Sequence, residues 1–310
     1  MASEPPTWRE VTHHQTTNNS HFKRLRDYSE RVWKPFVYSS AYLAFIAVAE
    51  VIIVMSLLSL PLSPAPIVVG LITFTIYTND RLLDLESDAA SNPQRTAFVR
   101  RYRHPLYVLS ALAYGLAVAL AALGGPLAFG LTLFPGVVWV LYAMDWISTS
   151  SLPIQRLKDV LFVNSTLVAT AWSLTIVLLP VAYANATVTP AAGVIFGYFV
   201  LATFVNTEIA NVRDIKSDRA RGVSTLPTVL SVTRTRHALY GITLLTGSIL
   251  GYGVIEGYVT AMAAGVLSVG LVCLLGVTGA IGRIDERWLS ISAECTRLPV
   301  FALLVLFTLL

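Results

Sequence analysis

The sequence predicts an all-α fold, a polytopic membrane helical bundle of about nine transmembrane helices. Three observations carry that prediction. Mean hydropathy is +0.66, with 55% apolar and 13% charged residues, a balance that water-soluble globular chains do not keep. Apolar runs recur near the length of about 20 residues that crosses a bilayer. Lysine and arginine fall only in the N-terminal tail and after alternate runs, as the inside bias of basic loops requires.

The chain begins with a polar tail, residues 1–36, holding Pro5, Pro6, Asn18 and Asn19 and then a mixed-charge stretch from Phe22 to Lys34. A cleavable signal places a short apolar segment right after a basic start. The first apolar run here comes late and is long enough to span, so no such signal is expected. The stretch from Phe22 to Phe36 has a weak apolar face and reads equally as an interfacial helix or as disorder. The membrane domain is expected over residues 37–310. Its runs begin near Ser39, Ala65, Leu106, Leu127, Val160, Pro190, Ala238, Tyr258 and Leu298. The last is short, which leaves eight spans as the alternative to nine.

All 22 basic residues fall in the tail or in the segments after the second, fourth, sixth and eighth runs, Arg283, Arg287 and Arg297 completing the set. The connectors around Ser63, Gly125, Asn185 and Gly257 carry none. The expected topology is a multi-pass protein of the cell membrane with a cytoplasmic amino terminus. Cys273 and Cys295 lack metal or redox spacing, and the five histidines lack zinc-ligand spacing. A net charge of +4 comes with no nucleic-acid motif, so no nucleic-acid partner is expected.

At the end of the second run the chain reads TNDRLLDLESDAASNPQR, with Asp80, Asp84 and Asp88 four apart. On a helix they share one face and repel by a few tenths of a kcal/mol per exposed pair, so a cation is expected to compensate them. A solvated helix end with Arg81 and Arg95 as counter-charges is the plainer reading of this cluster alone. The sixth run ends in NTEIANVRDIKSDRARGVSTLP, where Asn211, Asp214 and Asp218 repeat the arrangement. The charge pattern puts both clusters on one side. Mg²⁺ takes oxygen ligands and is held by one or two carboxylates plus substrate phosphates, so two facing half-sites suit a diphosphate.

These motifs resemble the UbiA superfamily of intramembrane prenyltransferases, in its archaeal-type members. Asp84 and Asp88 match the last two aspartates of the family's first motif, because Pro93 and Arg95 then fall where the family has them. That register puts Asp80 in an asparagine slot and Arg81 in the first aspartate slot. Asp214 and Asp218 match the second motif, followed by Gly222 and Thr225–Leu226–Pro227 in a GxxTLP tail, and Asn211 replaces an aspartate. The segment PIQRLKDVLFVN resembles a basic element between the fourth and fifth helices, with Arg156 and Lys158 as phosphate contacts.

The resemblance implies Mg²⁺-dependent transfer of an isoprenyl group from a prenyl diphosphate to a lipophilic or aromatic acceptor, with membrane lipid around a groove for the tail. Asp84, Asp88, Asp214 and Asp218 are the expected catalytic residues, and with Asp80 and Asn211 the expected metal ligands. Asp80, Arg95, Arg156, Lys158, Asn211, Lys216, Arg219 and Glu50 are the expected substrate contacts. Glu50 is singled out because an ionisable group in mid-span is costly and faces a cavity or a partner. Asn164, Ser165, Thr166, Trp172 and Ser173 give the fifth run a polar face that serves helix packing or an acceptor chamber. A transporter with an acidic cation site is the rival function, but it predicts carboxylates spread through the membrane depth, and most lie at one face. A CDP-alcohol phosphotransferase lacks its motif arrangement here.

Overall fold

The computed structural model describes residues 32–86, 89, 92–143, 161 and 163–309, and every regular element among them is helical. Helix α1 is Val32–Tyr38, and it meets α2, Ala41–Leu57, at a bend of 71°. Next come α3 (Ala65–Leu83), α4 (Pro93–Arg101), α5 (Arg103–Ala122), α6 (Gly125–Ala143) and α7 (Val163–Tyr183). The second half holds α8 (Pro190–Arg221), α9 (Leu226–Leu230), α10 (Val232–Ile255), α11 (Ala261–Ala280), α12 (Glu286–Glu294) and α13 (Leu298–Leu309). A single 3₁₀ turn, Cys295–Arg297, joins the last two.

Six helices among the described residues are long and apolar enough to cross a membrane, and counting α1 with α2 makes seven. The expected count of nine is therefore not reached by length and composition. The apolar part of α6, Gly125–Leu141, is shorter, and α3 ends on Asn79, Asp80 and Arg81. The last span also differs from expectation. It runs from Trp288 to Phe307, through the 3₁₀ turn, so Arg297 lies inside the bundle rather than in a basic loop.

Burial ranks the helices. The apolar windows of α7 and α8 are 61% buried and that of α5 only 22%, so α7 and α8 form the centre and α5 faces lipid. Along the contact of α2 with α3, Gly70 lets Val48 approach so closely that a Cβ would stand 2.7 Å from its Cγ2. One apolar cluster joins Val51, Val54, Val69 and Ile72 to Ile176, Ile195 and Phe199. A second joins Val205, Ile209 and Val212 to Leu226, Leu239 and Leu289.

Helix α8 has 32 residues, about 48 Å at 1.5 Å per residue, against a hydrocarbon core of about 30 Å. Thr189 caps its start by accepting from the Ala192 amide at 3.3 Å, with Pro190 at the first helical position. Its last turns therefore project beyond the apolar layer, and they carry Asp214 and Asp218.

Candidate functional site

Residues along one helix face recur at intervals of three and four. On α3 that face carries Thr73, Tyr77, Asp80 and Asp84, and on α8 it carries Thr203, Thr207, Asn211, Asp214 and Asp218. Thr73, Tyr77, Thr203 and Thr207 line one enclosed chamber together with Glu50, Trp172, Asn206, Glu294 and Arg297. The inner parts of both faces thus look into the same space. Their acidic outer parts continue along the same two helix faces.

The end of α8 is shaped by its sequence. Gly222 takes the left-handed conformation at φ 74°, and the Val223 amide donates back to the Asp218 carbonyl at 2.9 Å, a turn that glycine makes without steric cost. Thr225 then starts α9 in a capping box with Thr228. The Leu226 amide donates to Glu208 Oε2 at 3.1 Å, and the Ser165 hydroxyl donates to Glu208 Oε1 at 2.6 Å. Asn211 Nδ2 donates to Ser165 Oγ at 3.4 Å. Buried Glu208 therefore ties the returning TLP segment, α7 and the Asn211 face of α8 into one network. Sequence reading missed Glu208. Its signal was a carboxylate in the apolar part of α8, two turns before the acidic motif.

At the other half-site the departure at Arg81 has a structural role. Its Nη1 donates to the carbonyls of Val37 at 3.2 Å and Tyr38 at 2.8 Å, and Thr78 donates to the Ser39 carbonyl at 3.2 Å. Those carbonyls stand at the bend between α1 and α2, where Ser40 has φ 72°. An arginine buried to 8% exposure satisfies groups that the bend frees from helical bonding.

Asp214 is held bidentately by Arg213, with Nε–Oδ1 at 3.1 Å and Nη2–Oδ2 at 2.7 Å. Asp218 is buried, Asp80 and Asp84 are partly exposed, and Arg95 is half-buried. Lys216 and Arg219 are exposed, about 200° and 140° around α8 from Asp214, so they do not share the carboxylate face. Asp88, Arg156 and Lys158 lie outside the described residues. Among the described residues no three acidic, histidine or cysteine side chains stand close enough to hold a metal ion by themselves. The carboxylates and the Asn211 amide at the two helix ends offer oxygen donors. Such a set fits Mg²⁺ held by few carboxylates and completed by substrate phosphate.

Glu50 lies in the chamber wall, paired with Arg297. Arg297 Nε stands 3.0 Å from Glu50 Oε1, and both side chains are 4% exposed. Trp172 Nε1–H donates to Glu50 Oε2 at 3.2 Å, and Arg297 Nη2 donates to Thr203 Oγ1 at 2.9 Å. Trp172 also meets Tyr77 edge-on, their ring centroids 6.3 Å apart. Glu294, Arg297 and Asn206 were missed by sequence reading. The first two sit where the last span seemed not yet to have begun, and an asparagine beside an acidic motif carries no signal of its own.

The profile described as the UbiA prenyltransferase family matches residues 62–287. Solved structures share the fold. A UbiA homologue from Archaeoglobus fulgidus bound to GPP and Mg²⁺ aligns at TM-score 0.61 and 14% identity, over 88% of this chain and 99% of that one. One from Aeropyrum pernix K1 aligns at TM-score 0.61 and 13% identity, over 87% and 98%. A digeranylgeranylglyceryl phosphate synthase aligns at TM-score 0.58 and 10% identity, over 89% and 98%. A search of curated proteins finds no match.

Proposed function

The chain belongs to the UbiA prenyltransferase family, and from that premise we propose that it transfers an isoprenyl group from a prenyl diphosphate to a lipophilic or aromatic acceptor within the membrane. The observation that carries this reading is the pair of helix faces that line one chamber, each acidic at its outer end. A similar fold was solved with GPP and Mg²⁺ bound, and another with DMAPP and Mg²⁺, which supports the same donor class here.

In this proposal Asp84 and Asp88 on one side and Asp214 and Asp218 on the other hold magnesium, with Asp80 and Asn211 beside them. When bound, Mg²⁺ neutralises charge on the diphosphate leaving group. Arg95, Arg156 and Lys158 add positive charge at the same face, and Lys216 and Arg219 attract the anionic donor from the surrounding solution. Arg213 orients Asp214, Glu208 fixes the height of the TLP segment, and Arg81 fixes the α1–α2 bend. The bundle walls keep water from an allylic cation while the acceptor attacks it.

Incubation with geranylgeranyl diphosphate, magnesium and a membrane lipid extract is expected to yield a prenylated product whose mass names the acceptor class. Absence of any product, with the donor unconsumed across short and long prenyl chains, would count against the reading. Orientation is a separate proposal. Basic segments place the amino terminus and both acidic helix ends in the cytoplasm. Cysteines introduced near Asn92 and Gly222 are expected to resist a membrane-impermeant maleimide in intact cells and to react once the cells are opened. Labelling in intact cells would reverse the topology.

A further inference from the structure

The chamber below the acidic ends is polar where hydrocarbon would pack more cheaply, and the diphosphate chemistry leaves it unused. Asn206 is 3% exposed, lines this chamber, and has no hydrogen-bond partner among the described residues for either amide atom. Buried amides are nearly always bonded, so this one points to a missing occupant. The free space is ≈ 30 Å³, room for a water-sized group such as a single hydroxyl.

Three occupants can be weighed. A prenyl tail would leave both amide atoms of Asn206 unpaired beside two carboxylates, so hydrocarbon does not fit. An anionic head meets Glu50 and Glu294 against one guanidinium, and Arg297 already donates to Glu50 and Thr203. A second anion adds repulsion without a free counter-charge. A neutral hydroxyl fits, because Asn206 offers a donor and an acceptor and the carboxylates accept from O–H groups. Tyr77 and Trp172 supply an aromatic wall beside it.

Resting on the prenyl-transfer reading, we propose that this chamber is a hydroxyl pocket: it takes one uncharged hydroxyl group of the acceptor, bonded by Asn206, above the Glu50–Arg297 pair. The rest of the acceptor then extends along the two faces toward the acidic ends. Asn206 lies eight residues before Asp214, about 12 Å along the helix. The pocket therefore selects acceptors by the group at their inner end and rejects those carrying carboxylate or phosphate there.

The test compares hydroquinone with terephthalate, in which both hydroxyls are replaced with carboxylate, through ligand-observed NMR on the full chain in detergent micelles. Hydroquinone is expected to bind at least about tenfold more tightly, since each lost or repelled polar contact of this kind is worth roughly that factor. Asn206→Leu is expected to weaken hydroquinone about tenfold and to leave geranyl thiodiphosphate binding unchanged. Equal or tighter binding of the carboxylate, no binding of hydroquinone, or an unaffected Asn206→Leu variant each overturns the proposal. Should Asn206→Leu fail to fold, the isosteric Asn206→Asp replaces it, expected to depress terephthalate further and hydroquinone little. A comparable loss of both probes would contradict the pocket. Failure of the prenyl-transfer reading shows differently, as no binding of geranyl thiodiphosphate with magnesium to the unmodified chain, whatever the paired probes do.

Discussion

Replacing any one of Asp84, Asp88, Asp214 or Asp218 by asparagine is expected to cut prenyl transfer by about 100-fold or more, the scale on which a group stabilising transition-state charge is felt. The amide keeps the volume and one oxygen of the carboxylate but gives up its negative charge. The structure sets the order among them. Asp214 shares its charge with Arg213 through two hydrogen bonds, so Asp214→Asn also weakens that pair and should affect donor KM as well as turnover. Asp218 is buried at the end of α8, and its backbone carbonyl accepts from the Val223 amide in the Gly222 turn, a bond that Asp218→Asn keeps. Residues that act as one unit are not additive, so a double variant taking one aspartate from each helix end should be little worse than its worse parent. The measurement is diphosphate release from an allylic donor in the presence of acceptor, with and without magnesium. Wild-type turnover in variants of both ends, or full activity in metal-free buffer, would sink the two-half-site reading.

What the sequence made legible was whatever has a period or a charge. Runs of apolar residues marked α2, α7, α8, α10 and α11 because a spanning helix must be apolar along its length. Aspartates four apart marked the outer ends of α3 and α8 because like charges on one face are costly without a purpose. The interior was less visible. Arg297 reads as a loop cation because a charge ends an apolar window, yet here it is accommodated inside the bundle by Glu50, 247 positions earlier in the chain. Only the fold pairs them. Arg81 likewise reads as a broken motif until the bend at Tyr38 shows which carbonyls it serves. Asn206 has no distinguishing context in sequence, and only the chamber wall and its unbonded amide set it apart.

The Glu50–Arg297 pair yields a second large effect, and its asymmetry decides the role of each partner. Removing one member of a buried ion pair costs about 3–5 kcal/mol when the survivor is left uncompensated. Here the chamber holds two carboxylates and one guanidinium. Glu294 lines the same chamber as Arg297 and lies one helical turn before it in the chain, so after Glu50→Gln the guanidinium still has a carboxylate nearby. The glutamine also keeps an oxygen that can accept from Trp172 or Arg297, though amide assignment then decides which. That variant should lose less than about 2 kcal/mol, the range of a weakened hydrogen bond. Arg297→Met leaves Glu50 and Glu294 facing each other with no cation between them, and it removes the bond to Thr203. That variant is expected to carry the full penalty of about 3–5 kcal/mol, with Arg297→Lys recovering part of it through charge but not through the two-pronged geometry. Thermal unfolding in detergent micelles reads the order directly: unmodified chain, then Glu50→Gln, then Arg297→Lys, with Arg297→Met lowest. If Glu50→Gln falls as far as Arg297→Met, then Glu294 does not compensate Arg297, and the chamber is a closed two-residue ion pair rather than a shared polar floor.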